Sequence, residues 1–320
     1  MRILILGGTR FTGKVLAEML VDAGHDITVS SRRPENAPKG THAHGGERRD
    51  AIVCLARTDS FDAVVDFTAY DADSAKQAID AFPKASYFLI SSIWVTKLHY
   101  GMLADTPAPM GVLAPDYLPE VTRKYIEGKA GAEFQVHQAH LKGRVAVVLR
   151  LPILFGSNDH TGRLDYYRQR VIDGAAQILV DGGTNHVQLG WSEDVAGAIA
   201  RLVTSAAHKL PPLLDGLTDN GSTVLEFNEL IASAENVSAR PVAVPMNILA
   251  SEFPEFLDYE PLWREEALSV SKANLFTITG RMPHEPKDWL VNLVRHTPLR
   301  SADNNVRAKE LAFLRRHGYA

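Results

Sequence analysis

Arg2-Ile3-Leu4-Ile5-Leu6 runs directly into Gly7-Gly8-Thr9-Arg10-Phe11-Thr12-Gly13, and the reading of this stretch decides the fold. Four consecutive aliphatic residues, Ile3 to Leu6, predict a buried strand. From Gly13 to Ala23 the spacing changes, with Val15, Leu16, Met19 and Leu20 on one side, which predicts an amphipathic helix. A glycine turn between a strand and a helix lets the backbone approach a pyrophosphate, and the helix start offers it free N–H groups and a positive dipole end. Gly7, Gly8, Thr9, Arg10, Phe11, Thr12 and Gly13 are therefore candidate cofactor contacts. Arg10 stands where dinucleotide folds often place a glycine, and its side chain can reach outward to a phosphate.

Working outward, Asp26 to Ser30, Ala63 to Phe67, Tyr87 to Ser91 and Ala146 to Leu149 are further apolar runs of strand length, with helical spacing between them. That alternation predicts an α/β fold, a doubly wound parallel sheet covered by helices. Beyond Leu151 the pattern loosens into proline-punctuated pieces, among them Pro211-Pro212, Pro241, Pro245 and Pro254. The expectation is a dinucleotide-binding domain over 1–155, to which 177–206 returns, and a smaller interleaved substrate lobe over 156–176 and 207–320. Gln177 to Val180 and Asn185 to Leu189 read as strands and Ser192 to Ala206 as a helix.

Bulk composition narrows the partners. The chain has 320 residues, 45% hydrophobic and 22% charged, with a formal net charge of −4, so no long-range field draws in nucleic acid or an anionic membrane. A small-molecule substrate is the expectation instead. One cysteine, Cys54, excludes an intrachain disulfide framework and a cysteine-rich zinc site and fits a reducing, cytoplasmic setting. The histidines at 42, 44, 99, 160 and 186 lack metal-like spacing, so no metal is implied.

The end of the second strand, Thr28-Val29-Ser30-Ser31-Arg32-Arg33, carries no acid to accept from a ribose 2′-hydroxyl. Ser31 and Arg32 suit a 2′-phosphate, which puts NADP(H) ahead of NAD; Asp50, after a basic cluster, stands at a distance suited to the adenine edge. Ser91-Ser92 ends the strand Tyr87 to Ile90 at the edge where open α/β sheets bind ligands. Tyr125 and Lys129, four apart, face the same way on a predicted helix. An ammonium about 4 Å from a phenol at an effective dielectric near 20 favours the phenolate by about 4 kcal/mol, roughly three pKa units. Ser92, Tyr125 and Lys129 form the candidate catalytic group, with Tyr125 exchanging a proton with a substrate oxygen and Ser92 donating to that oxygen.

With these motifs in order, the chain resembles the extended short-chain dehydrogenases and, within them, the nucleotide-sugar epimerase and dehydratase superfamily. Its glycine turn is similar to that of a branch that also contains chloroplast stem-loop-binding proteins. The resemblance implies that Asp66-Phe67-Thr68-Ala69-Tyr70 lies beside a nicotinamide ribose, that Asp105-Thr106-Pro107 leads into the catalytic helix, and that Arg150-Leu151-Pro152-Ile153-Leu154-Phe155-Gly156 passes into the substrate lobe. Thr68, Ala69, Tyr70, Ser91, Pro152 and Leu154 join the candidate cofactor contacts on that ground. Dimerisation is common in the family, so a homodimer is allowed for. Dehydratases of this kind carry an acidic pair after the catalytic hydroxyl; Ile93 and Trp94 stand there, and neither can move a proton. Hydride transfer to or from a secondary alcohol or ketone, epimerisation with retained NAD, and a non-catalytic RNA-binding role on the same fold stay open. Asn158, His160, Arg163, Tyr166, Tyr167, Arg168 and Arg170 either bind a phosphorylated or sugar-like ligand or are a solvated face, and Trp94, Tyr100 and Trp191 either line a pocket or pack.

Overall fold

A computed structural model describes residues 1–98, 111–116, 118–205, 210–218, 221–260, 262, 273–300 and 304–319. Along the chain lie β1 Arg2–Leu6, α1 Phe11–Asp22, β2 Asp26–Ser31, β3 His42–Gly45, α2 Arg48–Thr58, β4 Ala63–Asp66, α3 Ala72–Ala81, β5 Ser86–Ser92, α4 Glu120–Leu141, β6 Ala146–Leu151 and β7 Ile153–Phe155. Then come α5 Arg163–Ile172, β8 Gln177–Val180, β9 His186–Val187, β10 Leu189–Trp191, α6 Ser192–Thr204 and β11 Leu213–Asp215. The remainder is β12 Ser222–Thr223, α7 Val224–Ala234, β13 Pro241–Val244, α8 Met246–Glu252, α9 Pro254–Tyr259, α10 Leu275–Thr279, α11 Pro286–His296 and α12 Asn304–Arg316. The expected lead-in Asp105-Thr106-Pro107, together with His99, Tyr100 and Ala206, lies outside the described residues.

The chain divides into two compact units, 1–158 with 192–217 and 269–283, and 159–191 with 218–268 and 284–320. In the first, seven parallel strands run in the order β11-β6-β5-β4-β1-β2-β3. Alternate side chains of each strand point to opposite faces. Ile3 and Ile5 join Val15, Leu16, Leu20, Val195 and Ile199 beneath α1 and α6. Leu4 and Leu6 join Ile52, Leu55, Ala75, Ala132 and Val136 beneath α2, α3 and α4. Both faces of the sheet are covered, which is why its strands read as continuous apolar runs. The strand order reverses between β1 and β4, and in open sheets the carboxyl ends of such a pair flank the ligand crevice.

The second unit has its own core. Here β8 pairs in parallel with β13, and Ile178, Val180 and Val244 pack on Leu249, Phe253, Phe256, Phe313 and Leu314. The segment 177–206, expected to return whole to the first unit, is thus divided: β8 builds the second sheet while α6 packs on the first unit. Residues 213–215, expected in the lobe, form the seventh strand of the first sheet beside β6. Val148 N–H donates to the Pro212 carbonyl, so a proline that cannot donate still serves the ladder as an acceptor. Among the described residues no helix is long and apolar enough to cross a membrane.

Candidate active site

The glycine turn is built for close approach. Gly7 has φ +93°, and a Cβ there would lie 2.6 Å from Thr68 Cγ2; on Gly8 it would lie 2.8 Å from Ile5 Cγ2, and on Gly13 2.8 Å from the Gly7 carbonyl. Any side chain at these positions would collide with the segment after β4, with β1 and β2, or with the turn itself, so only glycine lets the turn pack this tightly. Phe11 opens α1 with φ +46°, a left-handed backbone that a bulky residue adopts only under constraint. Thr12 Oγ1 is buried with no hydrogen-bond partner. An orphaned hydroxyl beside three glycines and a helix N-terminus fits an anionic ligand that brings acceptors of its own. Thr9 Oγ1 and Ser31 Oγ lie 2.8 Å apart, linking the turn to the end of β2. Among the described residues the guanidinium groups of Arg10, Arg32 and Arg33 have no carboxylate within ion-pair distance. Asp50 lies on the exposed side of α2, lining a shallow groove with Arg49, Val53, Cys54, Arg57 and Thr58.

Lys129 lies at the carboxyl edge of the sheet. Its Nζ donates to the Ala69 carbonyl after β4 at 3.0 Å and to the Ile90 carbonyl of β5 at 2.8 Å. The ammonium also faces the Tyr70 ring, 4.6 Å from its centroid. Burial lowers its pKa from 10.5 to about 8, against the opposing pull of Asp66 and Glu133. The Tyr70 ring in turn lies 6.3 Å from that of Tyr125 at an angle of 50°. Tyr125 packs in a small cluster with Trp94, Leu98, Ala114, Leu118 and Ile126. Ser92 ends β5 half-buried, its Oγ accepting from Trp94 N–H at 3.2 Å, which leaves the hydroxyl proton to donate elsewhere. Gly128 is what brings α4 this close, since a Cβ there would sit 2.3 Å from the Tyr70 carbonyl oxygen.

Two buried polar networks underlie these groups, and neither was read from the sequence. Arg48 donates to Asp66 Oδ1 at 3.0 Å, Asp66 Oδ2 at 2.6 Å, Thr68 Oγ1 at 2.7 Å and the Ser74 carbonyl at 2.9 Å. Asp66 also accepts from Tyr87 Oη at 2.7 Å and from the N–H groups of Thr68 and Ala69 at 2.9 and 3.0 Å. Burial beside that carboxylate pushes the Tyr87 phenol well above its ordinary range. One turn along α4 from Lys129, Glu133 accepts from Ser91 Oγ at 2.5 Å and from Arg150 at 2.6 Å. The Ser91 and Thr68 hydroxyls are thereby engaged within the protein. Pro152 and Leu154, the softer candidates, are buried just beyond β6 and within β7.

The arginine- and tyrosine-rich segment after Gly156 is mostly structural. Arg170 bonds Glu260 at 2.7 Å and Glu310 at 2.8 Å and Tyr167 bonds Glu260, all buried within the second unit, and Arg168 bonds the half-buried Glu235. Trp191 packs edge-to-face on His284 in that unit.

The model of the NAD dependent epimerase/dehydratase family matches residues 3–86, the segment from β1 to the start of β5. Solved structures of like fold span nearly the whole chain. The dTDP-glucose 4,6-dehydratase of Bacillus anthracis in complex with NAD superposes with a TM-score of 0.68 at 14% identity, covering 92% of this chain and 96% of that one. The two share a doubly wound α/β fold. The UDP-glucose 4-epimerase of Thermus thermophilus in complex with NAD gives a TM-score of 0.66 at 19% identity, with 93% and 100% covered. That of Thermotoga maritima with UDP-glucose gives 0.68 at 15%, with 99% of each chain covered. The curated relative is the chloroplast stem-loop binding protein of 41 kDa b of Arabidopsis thaliana, 22% identical over 223 residues, or 63% of this chain. The match spans about half, 55%, of that protein's length. The epimerase/dehydratase resemblance read from the motifs holds, and with it the doubly wound architecture.

Proposed function

We propose that this chain is an NAD(P)-dependent oxidoreductase acting on the secondary alcohol or ketone of a small polar, sugar-like or nucleotide-linked metabolite. The observation that carries the reading is Lys129, a buried ammonium held between the Ala69 and Ile90 carbonyls at the edge beside the glycine turn, on the helix that carries Tyr125. Gly7, Gly8, Thr12 and Gly13 would hold the pyrophosphate of the dinucleotide. Ser31 and Arg32, with no acid at the end of β2, favour a 2′-phosphate, although the neighbouring structures named above carry NAD. The nicotinamide, when bound, supplies or accepts the hydride. Tyr125 moves a proton at the substrate oxygen, Lys129 holds charge beside it, and the Ser92 hydroxyl donates to that oxygen.

Calorimetric titration with NADPH and NADH, followed by cofactor turnover with a panel of nucleotide sugars and small ketones, tests this reading. Tyr125→Phe is expected to keep dinucleotide affinity within about twofold and to lose turnover by about 10²- to 10⁴-fold, the range for a general acid. Retained turnover in that variant would assign the proton to another group, and failure of the wild type to bind either dinucleotide would end the proposal. Tightly retained NAD with configurational exchange and no net redox would identify the epimerase reading instead. Salt-dependent binding of a stem-loop RNA without dinucleotide binding would point to the role named for the curated relative.

A further inference from the structure

Lys129 is gripped by a turn that is itself locked from below. Residues 67–70 leave β4 and carry three features that meet the lysine or its helix: the Ala69 carbonyl on Nζ, the Tyr70 ring over Nζ, and the Tyr70 carbonyl against Gly128. The shape of that turn is set by Asp66, which accepts from the main-chain N–H of both Thr68 and Ala69. Arg48 completes the lock from the first turn of α2, tying Asp66, Thr68 Oγ1 and the Ser74 carbonyl together. The carboxylate has no exposed surface, so its charge acts through protein rather than through water. We propose that Arg48 and Asp66 are positioning residues for Lys129, fixing the turn that holds its ammonium and acting on that ammonium through their opposite charges. The functional meaning of this rests on the proposed oxidoreductase reading; the geometry and its test do not.

Among the described residues, three charged groups act on Lys129. Asp66 comes from β4 and Arg48 from α2, while Glu133 lies one turn along α4 and is already paired with Arg150 of β6; β5 offers a carbonyl only. Asp66 favours the protonated lysine and Arg48 disfavours it. Removing one or the other must therefore move the lysine in opposite directions, whereas mere loosening of the turn would move it one way in both.

Lysine side-chain ¹³Cε titration of the full chain, without dinucleotide or substrate, reads this directly, with the Lys129 resonance identified by its loss in Lys129→Arg. In the wild type a midpoint near pH 8 is expected. Arg48→Gln should raise it and Asp66→Asn should lower it, each by about one pH unit at an effective dielectric near 20. Arg48→Lys, which keeps the charge, should stay near the wild-type value. Arg48→Gln is the variant to lean on, because Asp66 keeps Tyr87 and two main-chain N–H donors and is not left bare. An unmoved or lowered midpoint in folded Arg48→Gln overturns the proposal, whether or not Asp66→Asn folds. A chain that binds no dinucleotide would sink the proposed activity yet leave this titration readable.

Discussion

At the scale of single residues, the cost of the site is concentrated in Lys129. A buried ammonium is poorly solvated, and its pKa of about 8 against 10.5 for the ordinary side chain means that between those values the unfolded chain binds a proton that the folded chain has released. Stability then rises with pH across that window. Below pH 8 the lysine is charged in both states and the whole penalty stands; above 10.5 it is neutral in both and the penalty is gone. A displacement of this size corresponds to about 3 kcal/mol. Lys129→Met removes the titration from both states. The unfolding free energy of the wild type minus that of Lys129→Met is therefore expected to be flat from pH 6 to 8 and to climb by about 2 to 3 kcal/mol toward pH 10.5. Urea unfolding across that range measures it, and a difference that stays flat throughout would mean that the ammonium is as well solvated folded as unfolded.

At the scale of elements, the site depends on how closely α4 lies against the segment that leads into α3. Two glycines on α4 face that segment at different clearances. A Cβ on Gly128 would meet the Tyr70 carbonyl oxygen at 2.3 Å, a backbone atom that cannot step aside, whereas one on Gly131 would meet Ala72 Cβ at 3.3 Å. Alanine favours a helix over glycine by about 1 kcal/mol at either position. Gly128→Ala is expected to destabilise by about 1 to 3 kcal/mol despite that gain, while Gly131→Ala stays within about 1 kcal/mol of wild type. Equal urea midpoints for the two variants would show that α4 can shift without penalty. The same contrast explains what the sequence made legible. β1, the glycine turn and α1 are visible because a continuous apolar run gives way to helical spacing across one turn. By contrast β3, His42–Gly45, carries almost no apolar side chain and is largely exposed at the sheet edge, so periodicity has nothing to register. Arg48 and Asp66 are 18 residues apart, and Arg170 and Glu310 are 140 apart; a pair made by tertiary structure leaves no local signal. Tyr125 and Lys129 stand out as candidates because one helical turn separates them, and Ser92 because it ends a strand at the carboxyl edge of the sheet.

At the scale of the whole molecule, the two units are stabilised by different physics. The first is a sheet with an apolar core on each face. The second packs a smaller apolar core around buried charge: Glu310 accepts from Arg170 at 2.8 Å, from Arg307 at 2.7 Å and from the Ile178 N–H of β8 at 2.8 Å. One carboxylate thus bridges two guanidinium groups, which Glu260 and Asp173 also pair, and accepts from a strand N–H, joining α5, α12 and β8. Glu310→Gln keeps the shape but removes the charge. Arg170 keeps Glu260 and Arg307 keeps Asp173, so the loss is that of charge-assisted hydrogen bonds to a buried acceptor, about 1 to 3 kcal/mol. With each unit built on its own core, that loss belongs to the second. Hydrogen exchange is expected to show faster amides in β8, α5 and α12 of Glu310→Gln, while β1, β4 and β5 keep wild-type protection, since local opening follows local stability. Equal loss of protection in both sets would mean that the units unfold as one cooperative body and that the ionic network supports the seven-stranded sheet as much as its own.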